Sequence, residues 1–107
     1  GKFLQASATG GSAAAAKASG ISPTNFSIVD QAGATSYPIA GFTWCFLRTD
    51  QTDAAKGKAV VNLFKNLAGD GQQYGKPLGY SPLPKEVTDL ATTTLKTIKS
   101  AGKAIIS

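Results

Sequence analysis

The most constraining stretch of this sequence is an apolar run, SYPIAGFTWCFLR, at residues 36–48. Residues 39–47 are apolar or small at nearly every position and follow Pro38, which predicts a β-strand beginning just after the proline. A strand that is apolar on both sides is typical of the middle of a sheet covered on both faces. The run therefore needs neighbouring strands and covering helices.

One helix is predicted before the run and another after it. An alanine tract followed by Gly20 predicts a short helix at residues 12–19, because alanine favours helix and glycine ends it. After the run, Thr52 or Asp53 can N-cap a second helix. That helix carries one apolar stripe at helical spacing: Val60, Leu63, Phe64 and Leu67.

The C-terminal part is also predicted to be mainly helical. Gly69 should end the second helix, and a short helix should continue as far as Gly79. Pro84 suits the first position of a last helix. Its predicted buried face consists of Val87, Leu90, Ala91, Thr94, Leu95 and Ile98. The tail at residues 101–107 is expected either to fray or to extend this helix.

The predicted strands are too few to bury the run. Apart from residues 39–47, a brief strand at residues 26–29 is the clearest candidate. A sheet of two or three strands with three helices is thin for so much apolar surface, so the chain either oligomerises or is one part of a larger α/β protein. Because the sequence opens at Gly1 without an initiator Met, we expect the second.

Composition restricts the chemistry. Eleven Lys+Arg against six Asp+Glu give a net charge of +5, but the lysines are dispersed and Arg48 is the single arginine, so nucleic-acid binding is not expected. The sequence has no histidine, which excludes Ser-His and Cys-His catalytic pairs. The single cysteine, Cys45, lies in the apolar run and is predicted to be buried. We therefore expect no catalytic residues, no metal site and no cofactor.

Four motifs in order resemble a known family. They are Tyr37-Pro38-Ile39 with Gly41 and Thr43-Trp44, the helical segment 59–64, Asp70-Gly71-Gln72, and LGYSPLP at residues 78–84. Together they are similar to the C-terminal region of the periplasmic phosphate-binding proteins of ABC transporters. The opening GKFLQ and the alanine-rich helix also resemble that family, so the likeness extends over nearly the whole chain.

The resemblance implies an α/β fold, the C-terminal part of a two-lobed "flytrap" with few strands flanked by helices. Residues 1–35 would be part of the second lobe, and residues 36–107 would form the hinge crossover and the return to the first lobe with the C-terminal helices. The apolar run would then be covered by elements encoded upstream. The implied partners are the N-terminal remainder of the same protein, inorganic phosphate bound through that remainder, and a membrane permease. The implied location is periplasmic, cell-surface or secreted.

The resemblance brings no phosphate ligand onto this chain, because the family's ligand motifs lie upstream of the matched region. One local feature is still a candidate: Thr9, Gly10, Gly11 and Ser12 lead into a helix, and their N–H groups and hydroxyls could form an anion nest. Ordinary N-capping with surface glycines is the favoured interpretation. Arg48 is expected to pair with Asp50 or Asp53 at the surface.

An alternative needs no transport function. A stand-alone structural module could oligomerise through its exposed strand edges and not bind phosphate. A hydrolase is disfavoured, since the sequence offers neither a histidine nor paired carboxylates.

Overall fold

The structure, a computed structural model, describes residues 2–22 and 24–106. The described elements, in chain order, are helix α1 (Ala8–Lys17), strand β1 (Asp50–Gln51), helix α2 (Ala54–Ala68), two 3₁₀ helices (Asp70–Tyr74 and Lys76–Leu78), helix α3 (Lys85–Leu95), and strands β2 (Lys99–Ser100) and β3 (Lys103–Ala104). The described chain is therefore mixed α/β with few strands, which confirms the predicted fold class at this level.

Local sequence explains where α2 begins and ends. The Asp53 carboxylate accepts hydrogen bonds from the backbone N–H groups of Ala55 and Lys56, at 2.9 and 3.0 Å. This satisfies two of the amide groups that have no partner within a helix, so Asp53 is the N-cap that the sequence suggested. Gly69 ends the helix, as predicted, and its N–H donates to the carbonyl oxygens of Lys65 and Asn66.

The main core lies between α2, α3 and the C-terminal segment. Val61, Leu95 and Ile98 are buried there. Four partly buried side chains pack around them: Leu47, Phe64, Ile105 and Ile106.

The predicted stripe of α2 is only partly buried. Phe64 faces the core, but Leu63 and Leu67 are 54% and 47% exposed. Gly57 explains which face of α2 points inward. A Cβ atom at this position would lie 2.8 Å from both Gln51 Cβ and Ile105 Cδ1, so only glycine fits there. The helix packs closely against β1 through this glycine, and Val61, one turn along, is turned inward with it.

The C-terminal tail corrects the sequence prediction. It neither frays nor extends α3 in the described residues, but forms a hairpin in which β2 pairs antiparallel with β3. Ala101 and Gly102 connect the strands with φ values of 50° and 76°, the left-handed conformation that tight hairpin turns require. β2 also pairs in parallel with β1, which gives a three-stranded sheet in the order β1-β2-β3.

The two longer predicted strands are wrong. Neither residues 26–29 nor residues 39–47 form a strand, and no backbone hydrogen bond is found for residues 39–47 within the described chain. Cys45, predicted to be buried, is exposed. At Gly41, no atom beyond the adjoining residues lies within 4 Å of where a Cβ would be. The physical reason is that the described chain places no strand beside the run.

The resulting molecule is extended. Its radius of gyration is 15.7 Å and its extents are 54 × 29 × 18 Å, whereas a compact domain of this length has a radius of about 13 Å. Its accessible surface is 7680 Å², about 2,000 Å² more than a compact protein of the same mass is expected to have.

Candidate functional site at the motif junction

The start of α1 packs against residue 37 and against residues 81–82, and three of the four sequence motifs contribute residues to this place. We call this place the motif junction. It is formed by Gly10, Gly11, Ser12, Tyr37, Gln72, Ser81, Pro82 and Leu83. These residues come from the Thr-Gly-Gly-Ser segment and from three of the four motifs that carry the family resemblance.

Helix α1 begins four residues earlier than predicted. Its N-cap is Ser7, whose hydroxyl oxygen accepts the N–H of Gly10 at 3.0 Å, while the Ser7 carbonyl oxygen accepts the N–H of Gly11. Both glycines therefore lie inside the first turns of the helix instead of in a loop before it. The signal in the sequence was a serine three residues before a glycine, which the favourable alanine tract obscured.

The two glycines allow the helix to approach its neighbours closely. A Cβ at Gly11 would lie 2.2 Å from Ser81 Oγ, and one at Gly10 would lie 3.1 Å from Tyr37 Cβ. The N–H of Tyr37 donates to the carbonyl oxygen of Gly10 at 3.1 Å, and the Ser12 hydroxyl donates to that of Pro82 at 2.7 Å. Small side chains at the helix start thus fix it against residues 37 and 81–82.

Gln72 connects the Asp-Gly-Gln motif to the proline-rich turn. Its side-chain amide oxygen accepts the N–H of Leu83 at 2.8 Å, and its amide nitrogen donates to the carbonyl oxygen of Leu67. One side chain therefore holds the end of α2 and the segment before α3 together. This contact joins residues eleven positions apart, and the sequence alone did not indicate it.

Of the four predicted anion-nest residues, Gly10, Gly11 and Ser12 lie at this junction, where their polar groups have partners within the chain. The N–H groups of Gly10 and Gly11 are taken by Ser7, and the hydroxyl of Ser12 is taken by Pro82. Thr9 is exposed on the same turn. An anion would have to compete with these hydrogen bonds, so the geometry favours a packing role for the segment.

Charged groups elsewhere are exposed and sparsely paired. Lys85 and Asp89 form an ion pair one helical turn apart, and this hydrogen bond to Asp89 raises the pKa of Lys85 above its ordinary value. Lys56 lies 4.0 Å from Asp53. The predicted pairing of Arg48 with Asp50 or Asp53 is not found among the described residues.

An open groove of about 440 Å³ runs along the end of α2. It is lined by Asn62, Lys65, Asn66, Gly69, Asp70 and Thr92. A single lysine and a single aspartate give it no net preference for ions of either sign. Within residues 2–22 and 24–106, no three potential metal ligands lie together. No described helix is both long and apolar enough to cross a membrane.

Comparison with known proteins gives two similar sequences. The chain is 33% identical over 86 residues to the "Phosphate-binding protein PstS" of Xylella fastidiosa strain 9a5c, a match that covers 78% of this chain and 24% of that protein. It is 31% identical over 86 residues to the protein of the same name from strain Temecula1, with the same coverage. No protein-family model matches the chain. The chain is thus similar to part of two proteins named for phosphate binding, and it spans about a quarter of their length.

Proposed function

We propose that this chain is the C-terminal scaffold and hinge part of the phosphate-binding component of an ABC phosphate importer. The observation that carries the proposal is the similarity to two relatives that are both named as phosphate-binding proteins. The order of the four motifs supports the same assignment. The names of these relatives describe binding and not catalysis, which agrees with the expectation that the chain is not an enzyme.

In this proposal the binding site forms between two lobes of the whole protein. Residues 1–35 belong to the second lobe, and residues 36–107 cross the hinge and return to the first lobe. Closure of the lobes clamps inorganic phosphate, and the closed protein docks on the membrane permease outside the cytoplasm. An anion held in a dry cleft needs many hydrogen-bond donors, which helix N-termini and hydroxyl groups provide.

The proposed role of this chain is structural within that binding protein. In the Thr9–Ser12 segment, the N–H groups of Gly10 and Gly11 donate to Ser7 and the Ser12 hydroxyl donates to Pro82, so these three donors serve internal packing. Phosphate ligands are therefore assigned to the N-terminal remainder of the protein. The role assigned to the motif junction is to hold the start of α1 against residues 37 and 81–82.

Intact mass spectrometry of the native protein, together with calorimetric titration of phosphate, tests the proposal. We expect a polypeptide several times longer than 107 residues that binds inorganic phosphate tightly. The matched control is the 107-residue chain alone, which should give no heat of phosphate binding. A longer native protein that does not bind phosphate would contradict the proposed function.

The second candidate is the stand-alone oligomerising module, which the unpaired apolar run favours. Its signature would be native material consisting only of this chain, assembled into an oligomer that does not bind phosphate. The same mass measurement therefore separates the two candidates.

A further inference from the structure

The net charge of the chain lies entirely in its C-terminal half. Residues 1–53 carry three basic and three acidic side chains and are neutral, whereas residues 54–107 carry eight lysines against three acidic residues, which is the whole net charge of +5. Ion pairing removes little of this excess, because the described chain holds two ion pairs, one on Lys56 and one on Lys85. Helices α2 and α3 therefore lie in the part of the molecule that attracts negative charge.

The open groove at the end of α2 lies between these two helices. Its α2 wall presents Asn62, Lys65 and Asn66, which are all exposed. Its α3 wall presents Thr92, whose hydroxyl already donates to the Thr88 carbonyl oxygen at 2.9 Å. Within the described residues, the side-chain amides of the two asparagines form no hydrogen bond. The donors available to a ligand therefore come mainly from α2.

A further lysine extends the α2 wall by one helical turn. Lys58 is exposed and lies four residues before Asn62 and seven before Lys65, so the three share one side of the helix. A rise of 1.5 Å per residue separates the two lysines by roughly 10 Å along the helix axis. The α2 wall thus presents an ammonium group, a carboxamide and a second ammonium group along its length.

The α3 wall also continues into a lysine. Lys96 lies four residues after Thr92, and its N–H donates to the Thr92 carbonyl oxygen at 3.2 Å, so it extends the same side of α3. Leu95 belongs to the same core cluster as Val61, which lies three residues after Lys58. Lys58 and Lys96 therefore lie towards the same end of the groove. We call Lys58, Lys65 and Lys96 the groove lysines.

The acidic groups nearby do not neutralise the groove lysines. Asp70 lines the other end of the groove, after the last residue of α2. Asp89 is paired with Lys85, and Glu86 lines the separate groove between α1 and α3. Within residues 2–22 and 24–106, none of the groove lysines forms an ion pair. One end of the groove is therefore basic and open to an anionic partner.

We propose that the groove between α2 and α3 binds an extended acidic segment of a partner protein, with its carboxylates on the groove lysines. An extended peptide with three residues per turn advances about 9 Å in three residues, so carboxylates at every third position match the spacing of Lys58 and Lys65. The carboxamides of Asn62 and Asn66 each offer a donor and an acceptor, which complement the N–H and C=O groups of a peptide backbone. This inference goes beyond the proposed function and does not depend on it.

Other anionic partners fit the groove less well. Nucleic acids are bound largely through arginine and through aromatic side chains that stack on bases, and the lining of the groove contains neither. The flat surface of an anionic membrane attracts exposed lysines but makes no use of carboxamides set in a groove. An acidic peptide segment engages the charges and the carboxamides together.

Fluorescence anisotropy on the native protein tests the inference with two labelled synthetic peptides. One carries glutamate at every third position among uncharged residues, and the other carries glutamine at the same positions. We expect the glutamate peptide to bind about tenfold more tightly, and less tightly as salt is added, because exposed ion pairs are individually weak and are screened. Equal binding of the two peptides, or binding of neither, would overturn the inference.

Two triple variants locate the binding surface. We expect about tenfold weaker binding of the glutamate peptide when the groove lysines are replaced, as in K58Q/K65Q/K96Q. The matched control removes the same charge from exposed lysines outside the groove and should change binding less than about twofold, as in K17Q/K76Q/K103Q. Equal losses in the two variants would show a general attraction to the net charge and would reject the groove.

A single substitution tests the middle of the groove. Asn62→Asp places a carboxylate between two groove lysines and should weaken binding of the glutamate peptide about 5-fold, since like charges repel. Asn25→Asp makes the same change at an exposed position outside the groove and should leave binding unchanged. No loss in Asn62→Asp would argue against a peptide lying along α2.

Competition identifies the source of the negative charge. Neither inorganic phosphate nor vesicles that contain phosphatidylglycerol should displace the glutamate peptide. Displacement by phosphate would make the groove a simple anion site, and displacement by vesicles would make it a lipid-binding surface, so either result would overturn the inference. Peptide binding by a protein that does not bind phosphate would support the groove and reject the transport role, and phosphate binding without peptide binding would do the reverse.

Discussion

The core beside helices α2 and α3 and the apolar run differ in burial, although the run is the more apolar of the two in sequence. Val61, Leu95 and Ile98 are at most 6% exposed, whereas Phe46 and Ile39 in the run are largely exposed. A helix satisfies its backbone within itself and needs only one neighbouring face. A strand needs partners along its edges as well. The two regions therefore differ because a helix makes its own backbone hydrogen bonds, whereas an extended segment depends on neighbouring strands.

The largest effect on stability is expected in the core between α2, α3 and the C-terminal segment. Leu95→Ala should lower the free energy of unfolding by about 2–4 kcal/mol, because it removes a buried side chain and leaves a cavity. Leu63→Ala is the matched control: the same substitution at a side chain that is 54% exposed should cost under about 1 kcal/mol. Chemical denaturation measures both. Equal losses would show that the exposed side of α2 is covered in solution.

A smaller effect is expected at the motif junction. Gly11→Ala places a methyl group against Ser81 and should cost about 1–2 kcal/mol, after the gain in helix propensity is included. Adding Ser81→Gly should restore most of the loss in thermal unfolding experiments. If Gly11→Ala alone is stabilising, the close approach of α1 to residue 81 does not exist in solution.

The run should tolerate truncation when it is studied alone. Phe46→Ala in the 107-residue chain should change the free energy of unfolding by less than about 0.5 kcal/mol, since the ring already contacts mainly water. In a longer protein of the kind proposed above, where the ring would be covered, the same change should cost about 3 kcal/mol or more. Denaturation curves of wild type and Phe46→Ala, each in the short and the longer form, give the comparison directly. A large loss of unfolding free energy in the 107-residue chain would mean that its run is already covered.

The smallest effect concerns a surface ion pair. The hydrogen bond and charge of Asp89 raise the pKa of Lys85 above 10.5, so Asp89→Asn should return it towards that value in an NMR titration. A raised pKa stabilises the fold below pH 10.5 and loses this contribution as pH rises through the folded-state pKa. Between pH 6 and 9 the variant's stability should therefore not depend on this titration. A pKa that does not move would show that the pair is absent in solution.

Local signals in the sequence predicted the helical part well. Asp53 and Gly69 bound α2 as expected, because capping depends on neighbouring backbone groups. The two predicted strands failed for the opposite reason, since pairing depends on residues that are distant in sequence. The hairpin at residues 99–104 was missed because Ala101 adopts a positive φ that alanine does not signal.

The candidate site shows the same division. Its residues, Thr9 to Ser12, could be selected from the sequence, but their contacts with Tyr37, Ser81 and Pro82 could not. Those contacts favour packing, because the donors of Gly10, Gly11 and Ser12 already have acceptors within the chain.

The sequence by itself determined the helices, their caps, the resemblance to phosphate-binding proteins and the need of residues 39–47 for cover. Only the tertiary structure decided which face of α2 is buried, that β2 pairs with both β1 and β3, and that the run has no neighbouring strand among the described residues. The physical reason is the distance along the chain over which each interaction acts. Caps and helical periodicity act over a few residues, whereas burial and strand pairing require surfaces that the whole fold brings together.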